Sequence, residues 1–161
     1  MASGEQSGAG EFARSHPALT DAQTGLANRL HFELVYNYLF EAGNRGLPFT
    51  VMLVSAGLGE GATEEQIRAL GRAIERTTRD SDLVSHMGGG RYVVLLLGTN
   101  LQGGRISADR VESAVDGLAD GPVAFGLAAY SDDIKDSQEL LKMADTALLA
   151  AEAAGGGVEF A

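Results

Sequence analysis

An α/β (α+β) fold built on one mixed, mainly antiparallel sheet is predicted by three features of the chain. Apolar runs rich in β-branched residues alternate with longer stretches of helical periodicity. Two of those runs meet at a bare glycine turn, and no linker or internal repeat divides the 161 residues. Residues 1–15 are small, polar and aperiodic, without the basic start and apolar run of a signal peptide. They are expected to be a disordered leader or a cloning remnant, which leaves 16–161 as one domain.

The elements follow in order. Asn28 is an N-cap candidate for a helix over about Arg29–Ala42, with Leu30, Leu34, Tyr38 and Phe32, Val35, Leu39 forming a broad apolar face. Gly43 and Gly46 end it, and Pro48 opens the next element. Phe49–Ala56 (FTVMLVSA) is a continuous apolar run, the pattern of a strand buried on both faces. A second helix starts near Thr63, with Ile67, Leu70, Gly71 and Ile74 inward and Arg68, Arg72, Glu75 and Arg76 outward. Leu83–Met87 and Arg91–Leu97 flank Gly88-Gly89-Gly90 and read as a hairpin. A third helix is expected over about Ile106–Leu118, and Val123–Tyr130 is another strand. The last helix, about Ser137–Ala153, buries Leu140, Leu141, Ala144 and Leu148, and Val158–Phe160 suits a terminal edge strand. This βαββαβ core with an extra helix at each end is the ferredoxin-like or palm arrangement.

Composition narrows the function. The formal charge of −10 repels nucleic-acid backbones, so general DNA or RNA binding is not expected. Only Lys135 and Lys142 are lysines, so recognition of a small anion must rest on arginine. The chain has no Cys, which suits a reducing compartment, and a cytoplasmic location is the expectation. His16, His31 and His86 have no metal-ligand spacing. No apolar run approaches the roughly 18 residues of a membrane span.

Four short runs carry a family resemblance. Asp21-Ala22-Gln23-Thr24-Gly25-Leu26-Ala27-Asn28-Arg29 is similar to the D-x-L-T-G-L-x-N-R opening of the GGDEF domain, the diguanylate cyclase family, with Gln23 in place of Leu. Gly88-Gly89-Gly90-Arg91-Tyr92 falls on that family's signature hairpin. Val123–Ala128 (VAFGLA) resembles its V-S-I-G-V-A strand, and Ala144-Asp145-Thr146-Ala147-Leu148 resembles the A-D-x-A-L of its last helix. The resemblance runs from about residue 19 to the C-terminus.

Such domains join two GTP molecules into cyclic di-GMP, using carboxylate-held metal ions to neutralise triphosphate and activate a ribose hydroxyl. Carried over position by position, the resemblance puts the first metal Asp on Ser55 and the acidic pair of the hairpin on Gly90 and Arg91. The phosphate-binding Lys of the last helix falls on Glu152, and the guanine-reading segment after Ser55 is shortened. The resemblance therefore implies a degenerate domain: no enzyme, no metal, no cofactor.

One family feature is kept. Arg79-Asp80-Ser81-Asp82 is an R-x-x-D motif, with five residues between Asp82 and Gly88. In cyclases that motif is the inhibitory site for cyclic di-GMP. A guanidinium can donate two parallel bonds to guanine O6 and N7 or reach phosphate, and a carboxylate can accept from N1–H and the amino group. Arg110 falls where a further Arg completes that site, from the same chain or a neighbour. The plain alternative is an exposed Arg–Asp pair of little energetic weight, with Arg110 on a solvated helix face. Two readings stand. One is a cyclic di-GMP receptor whose ligand can bridge two domains or two copies; the other is a ligand-free interaction or dimerisation module.

Other residues have plainer readings. Gly57-Leu58-Gly59-Glu60-Gly61-Ala62 matches G-x-G-x-x-A between a strand and a helix, but a shortened turn explains it more simply than a pyrophosphate site. His86 replaces a family Arg and is expected to sit in a strand with its ring satisfied. Asp132, Asp133 and Asp136 suit a helix N-terminus, and Asp145 suits a local structural role.

Overall fold

The computed structural model describes residues 16–45 and 47–161. The expectations for residues 1–15 and for Gly46 lie outside the described residues. The elements are α1 (Arg29–Ala42), β1 (Phe49–Ser55), α2 (Glu64–Arg76), β2 (Leu83–His86), β3 (Arg91–Leu97), α3 (Leu101–Val115), β4 (Ala124–Ala129), α4 (Ser137–Ala153) and β5 (Gly157–Phe160). Short 3-10 turns occupy Pro17–Leu19 and Gly43–Arg45. The sheet order is β2-β3-β1-β4-β5. All pairings are antiparallel except β4 with β5, which is parallel. The expected α/β class with a mixed, mainly antiparallel sheet is the observed one.

Each helix begins where a short polar side chain can accept from an otherwise unpaired N–H of the first turn. Asn28 accepts from His31 N, Thr63 from Gln66 N, Asn100 from Gly103 N and Asp136 from Glu139 N, all at 2.9–3.0 Å. The Asn100 cap starts α3 five residues before the expected Ile106. Gly103 and Gly104 sit inside its first turns. A Cβ on Gly104 would lie 2.6 Å from Leu127 Cδ2, so that glycine lets the helix close onto β4. The same helix ends at Val115, leaving Leu118 exposed beyond it.

The central strands are apolar on both faces because both faces are covered. Met52, Val54, Tyr92, Val94, Leu96, Phe125 and Leu127 meet α2 and α3. Phe49, Val51, Val93, Leu95 and Ala128 meet α1 and α4 through Phe32, Tyr36, Leu39, Leu140 and Ala144. Gly126 marks the closest approach: a Cβ there would stand 2.4 Å from Ala144 O and 2.3 Å from Leu148 N. The α1 face is narrower than expected. Phe32 and Leu39 are buried, whereas Leu30, Leu34 and Tyr38 are 49%, 57% and 72% exposed. Leu141 is half-buried rather than core, its place taken by Ala147 and Ala151.

The register fixes two ends of the sheet. Phe49 pairs with Leu97 at one end, and Ser55 pairs with Arg91 at the other. They are the first and last residues of a seven-residue strand, roughly 20 Å apart. Among the described residues no helix is long and apolar enough to cross a membrane.

Candidate functional site

At the Phe49–Leu97 end, a cleft of about 440 Å³ is lined by Pro48, Thr77, Arg79, Asp82, Gly98–Asn100, Gly103, Ile106, Ser107 and Arg110. Arg79, Asp82 and Arg110 thus border one opening. The R-x-x-D motif does not lie on the last turn of α2, which ends at Arg76; it forms a separate turn leading into β2. Asp82 N donates to Arg79 O (2.9 Å), and Arg79 N donates to Asp82 Oδ2 (3.0 Å), so the turn is closed in both directions.

The two motif side chains play different parts. The Asp82 side chain is 3% exposed, against 63% for Arg79. Its second oxygen, Oδ1, accepts from Leu97 N (3.1 Å), which joins the turn to the end of β3. The Arg79 guanidinium lies 3.6 Å from Asp82 Oδ2 and donates through one nitrogen to Leu97 O (2.8 Å) and Thr99 Oγ1 (3.0 Å). The carboxylate therefore faces inward as the anchor, and the cation faces the cleft. Arg110 lies on the exposed face of α3, and none of the described ion pairs uses it. Exposed Ile106 adds an apolar platform beside the two arginines. Thr99, Asn100, Ile106 and Ser107 were not singled out from sequence. The available signal was Asn100, a helix-cap residue two positions after the Gly98 that follows the apolar run.

The opposite end of the sheet carries the signature hairpin. Gly88 and Gly89 have φ of 105° and 52°, which only glycine adopts without strain, and Arg91 N closes the turn on Gly88 O (3.0 Å). Gly90 packs under Leu58, and Ala56 N donates to Gly90 O (2.9 Å). Arg91, beside Ser55 in the register, reaches Glu152 at the end of α4: Nη2 to Oε2 is 2.9 Å. The side chains on which the resemblance puts one hairpin acid and the phosphate-binding Lys are thus partners of each other. A divalent cation does not fit here. Gly90 has no side-chain ligand and its carbonyl already accepts from Ala56 N, Ser55 offers only a hydroxyl, and Arg91 is a cation paired with Glu152.

Tyr92 is core: its ring is 1% exposed and its hydroxyl donates to Ile67 O (2.6 Å). Burial first, and the Asp21 charge second, push its hydroxyl well above the usual tyrosine range. His86 ends β2 with an acceptor oxygen facing each ring nitrogen: Nδ1 is 3.0 Å from Asp21 Oδ2 and Nε2 is 2.8 Å from Gly89 O. The glycine-rich 57–62 segment is a turn. A Cβ on Gly57, which has φ of 63°, would lie 2.3 Å from Pro122 O, and the strand after α2 is antiparallel to its neighbour. Asp136 caps α4, as the acidic cluster implied, and Asp133 accepts from the Ser131 hydroxyl.

The sequence profile of "Diguanylate cyclase, GGDEF domain" matches residues 18–157. Among curated relatives, the probable diguanylate cyclase DgcC of Escherichia coli is 27% identical over 151 residues, covering 84% of this chain and 41% of the relative. The probable diguanylate cyclase DgcE of the same organism is 28% identical over 160 residues, covering 89% of this chain and 14% of the relative. The chain therefore spans less than half the length of either. Among solved structures, the GGDEF domain of DgcB from Caulobacter crescentus in complex with c-di-GMP superposes with a TM-score of 0.79 at 19% identity, covering 90% of this chain and 96% of that one. Diguanylate cyclase SiaD in complex with its activator SiaC, from Pseudomonas aeruginosa, gives 0.81 at 22% identity, covering 93% and 64%. At these identities the superpositions speak for the fold alone. With the profile spanning nearly all of the described residues on the expected elements, the chain belongs to the diguanylate cyclase GGDEF domain family.

Proposed function

We propose that this domain is a catalytically inactive GGDEF module that binds cyclic di-GMP as a receptor in bacterial second-messenger signalling. The observation that carries the reading is the gathering of Arg79, Asp82 and Arg110 around one cleft. Arg79 and Arg110 would supply donors to guanine and phosphate, while Asp82 sets the Arg79 turn and, if the turn opens, offers its carboxylate to the base edge. Two guanines in one ligand can engage two such clefts, so ligand-bridged pairing with itself or another domain belongs to the reading. So does a cytoplasmic setting.

Inactivity rests on the opposite end of the sheet. With Arg91 paired to Glu152 and no carboxylate from Ser55 or Gly90, neither metal nor triphosphate has its counter-charge. The DgcB domain, of the same fold, was solved with c-di-GMP. The test is thermal melting with cyclic di-GMP and, separately, with magnesium–GTP. A ligand at a hundred times its Kd stabilises by about 2.7 kcal/mol, an upward Tm shift of several degrees. Cyclic di-GMP is expected to produce it, and magnesium–GTP to produce neither a shift nor turnover. GTP turnover refutes the inactivity; a Tm unmoved by cyclic di-GMP refutes the receptor.

One observation favours a second reading. Leu30, Leu34 and Tyr38 form an exposed apolar row along α1. A ligand-free interaction or dimerisation module would use that row and leave the cleft idle. Substituting Leu34 and Tyr38 by Ser separates the two: the receptor keeps its ligand response, and the scaffold loses its partner.

A further inference from the structure

His86 is a buried titratable side chain at the signature hairpin that the proposed chemistry leaves unused. Its side chain is 2% exposed and sits between the N-terminal loop and the glycine tip. Both of its partners are acceptors. Asp21 Oδ2 already receives Thr24 N (2.9 Å) and the Thr24 hydroxyl (2.8 Å), so it has no proton to offer. Gly89 presents a carbonyl oxygen. A neutral imidazole carries one N–H, and only the imidazolium carries two. The contacts at 3.0 and 2.8 Å are therefore both hydrogen bonds only when the ring is protonated.

We propose that His86 is a proton-operated latch on the hairpin tip. Protonated, it ties Asp21 of the N-terminal loop to the Gly89 carbonyl. On losing a proton it keeps the charge-assisted bond to the carboxylate and releases the carbonyl, because the neutral ring then turns a lone pair toward Gly89 O. The proton lost is the one on Nε2, and it passes to solvent.

The tip is suited to such control. Gly88, Gly89 and Gly90 have no side chains with which to hold their own conformation, and the His86 ring supplies a side-chain tether to them. The tip also leads directly into Arg91, so its release loosens the Arg91–Glu152 contact at the same end of the sheet. Charged and titratable groups approach His86 from several elements. From the N-terminal loop comes Asp21, the one carboxylate among the described residues lining the shared cleft. Arg29 lines that cleft from α1. From β3, the Tyr92 ring lies 5.3 Å away with its hydroxyl committed to Ile67 O. From α2, Arg68 is committed to Gln23 O (3.2 Å).

The test is amide hydrogen exchange of the Arg91 N–H in the full chain, across the titration of the His86 ring followed by nitrogen NMR. The reference is His86→Arg, a permanent cation, which cancels the intrinsic pH dependence of exchange. Protection relative to that variant is expected to fall on the order of fivefold as the ring deprotonates, the loss of one hydrogen bond. An unchanged ratio overturns the proposal. If the Arg variant does not fold, the wild-type ring signals decide alone. The neutral form must carry its proton on Nδ1, and a neutral Nε2–H form contradicts the latch.

Discussion

The two ends of the sheet treat their arginines in opposite ways. At the cleft, Asp82 is buried and committed to backbone N–H groups, and the Arg79 and Arg110 cations face solvent. At the hairpin, Glu152 is 28% exposed and aimed at Arg91, so the cation there already has its counter-charge. Both ends contain an Arg–carboxylate pair within 4 Å. What an anion meets depends on where the carboxylate's hydrogen bonds go. In the cleft they go to the protein's own backbone; at the tip they go to the arginine.

The largest effect that tests this contrast is expected from Asp82→Ala. It strips the Arg79 and Leu97 N–H groups of a charged acceptor and should lower stability by about 3 kcal/mol in chemical denaturation. Cyclic di-GMP affinity should fall with it, since the Arg79 turn loses its anchor. Arg79→Ala should weaken the ligand by roughly 10- to 100-fold in titration while changing stability by less than about 1 kcal/mol. Equal stability losses in these two variants would break the division into anchor and cation.

Tyr92→Phe sharpens the account of the hairpin as structure. It leaves Ile67 O without its donor and should cost about 1 kcal/mol. It also bears on alkaline behaviour. Burial holds the Tyr36 and Tyr92 hydroxyls above their ordinary value, so the folded state resists their ionisation. Their stabilising contribution is complete below the unfolded tyrosine value of about 10 and declines as pH rises above it. Wild-type Tm should drop in that range, and Tyr92→Phe should drop less steeply. The smallest effect is expected at the tip surface. Glu152→Ala should change stability by under about 1 kcal/mol, because its pair with Arg91 is partly exposed, and should leave cyclic di-GMP binding unchanged.

How far the chain could be read in advance differed by element. Helices α1 and α4 and strand β3 have the bounds their periodicity implied, because caps and apolar runs act locally. The start of α3 was placed five residues late; the fit of Gly104 against the Leu127 side chain, which admits the earlier start, is a tertiary contact. The outward turn of Leu30, Leu34 and Tyr38 was missed because hydrophobic spacing does not say how wide a face the sheet will cover. In the candidate site, the three cleft residues were named from the motif and its offset, but the inward turn of Asp82 was not. Its acceptor role depends on Leu97, fifteen positions away. The Arg91–Glu152 pair joins residues 61 apart, and the Asp21–His86–Gly89 bridge spans loop, strand and turn. Spacing alone carries neither.

The most direct measurement is a calorimetric titration of the purified domain with cyclic di-GMP, run beside Arg79→Ala and Glu152→Ala. Saturable heat in the wild type, retained by Glu152→Ala and lost or strongly weakened in Arg79→Ala, is the predicted result. No heat in the wild type, or heat that survives Arg79→Ala undiminished, contradicts the cleft as a cyclic di-GMP site.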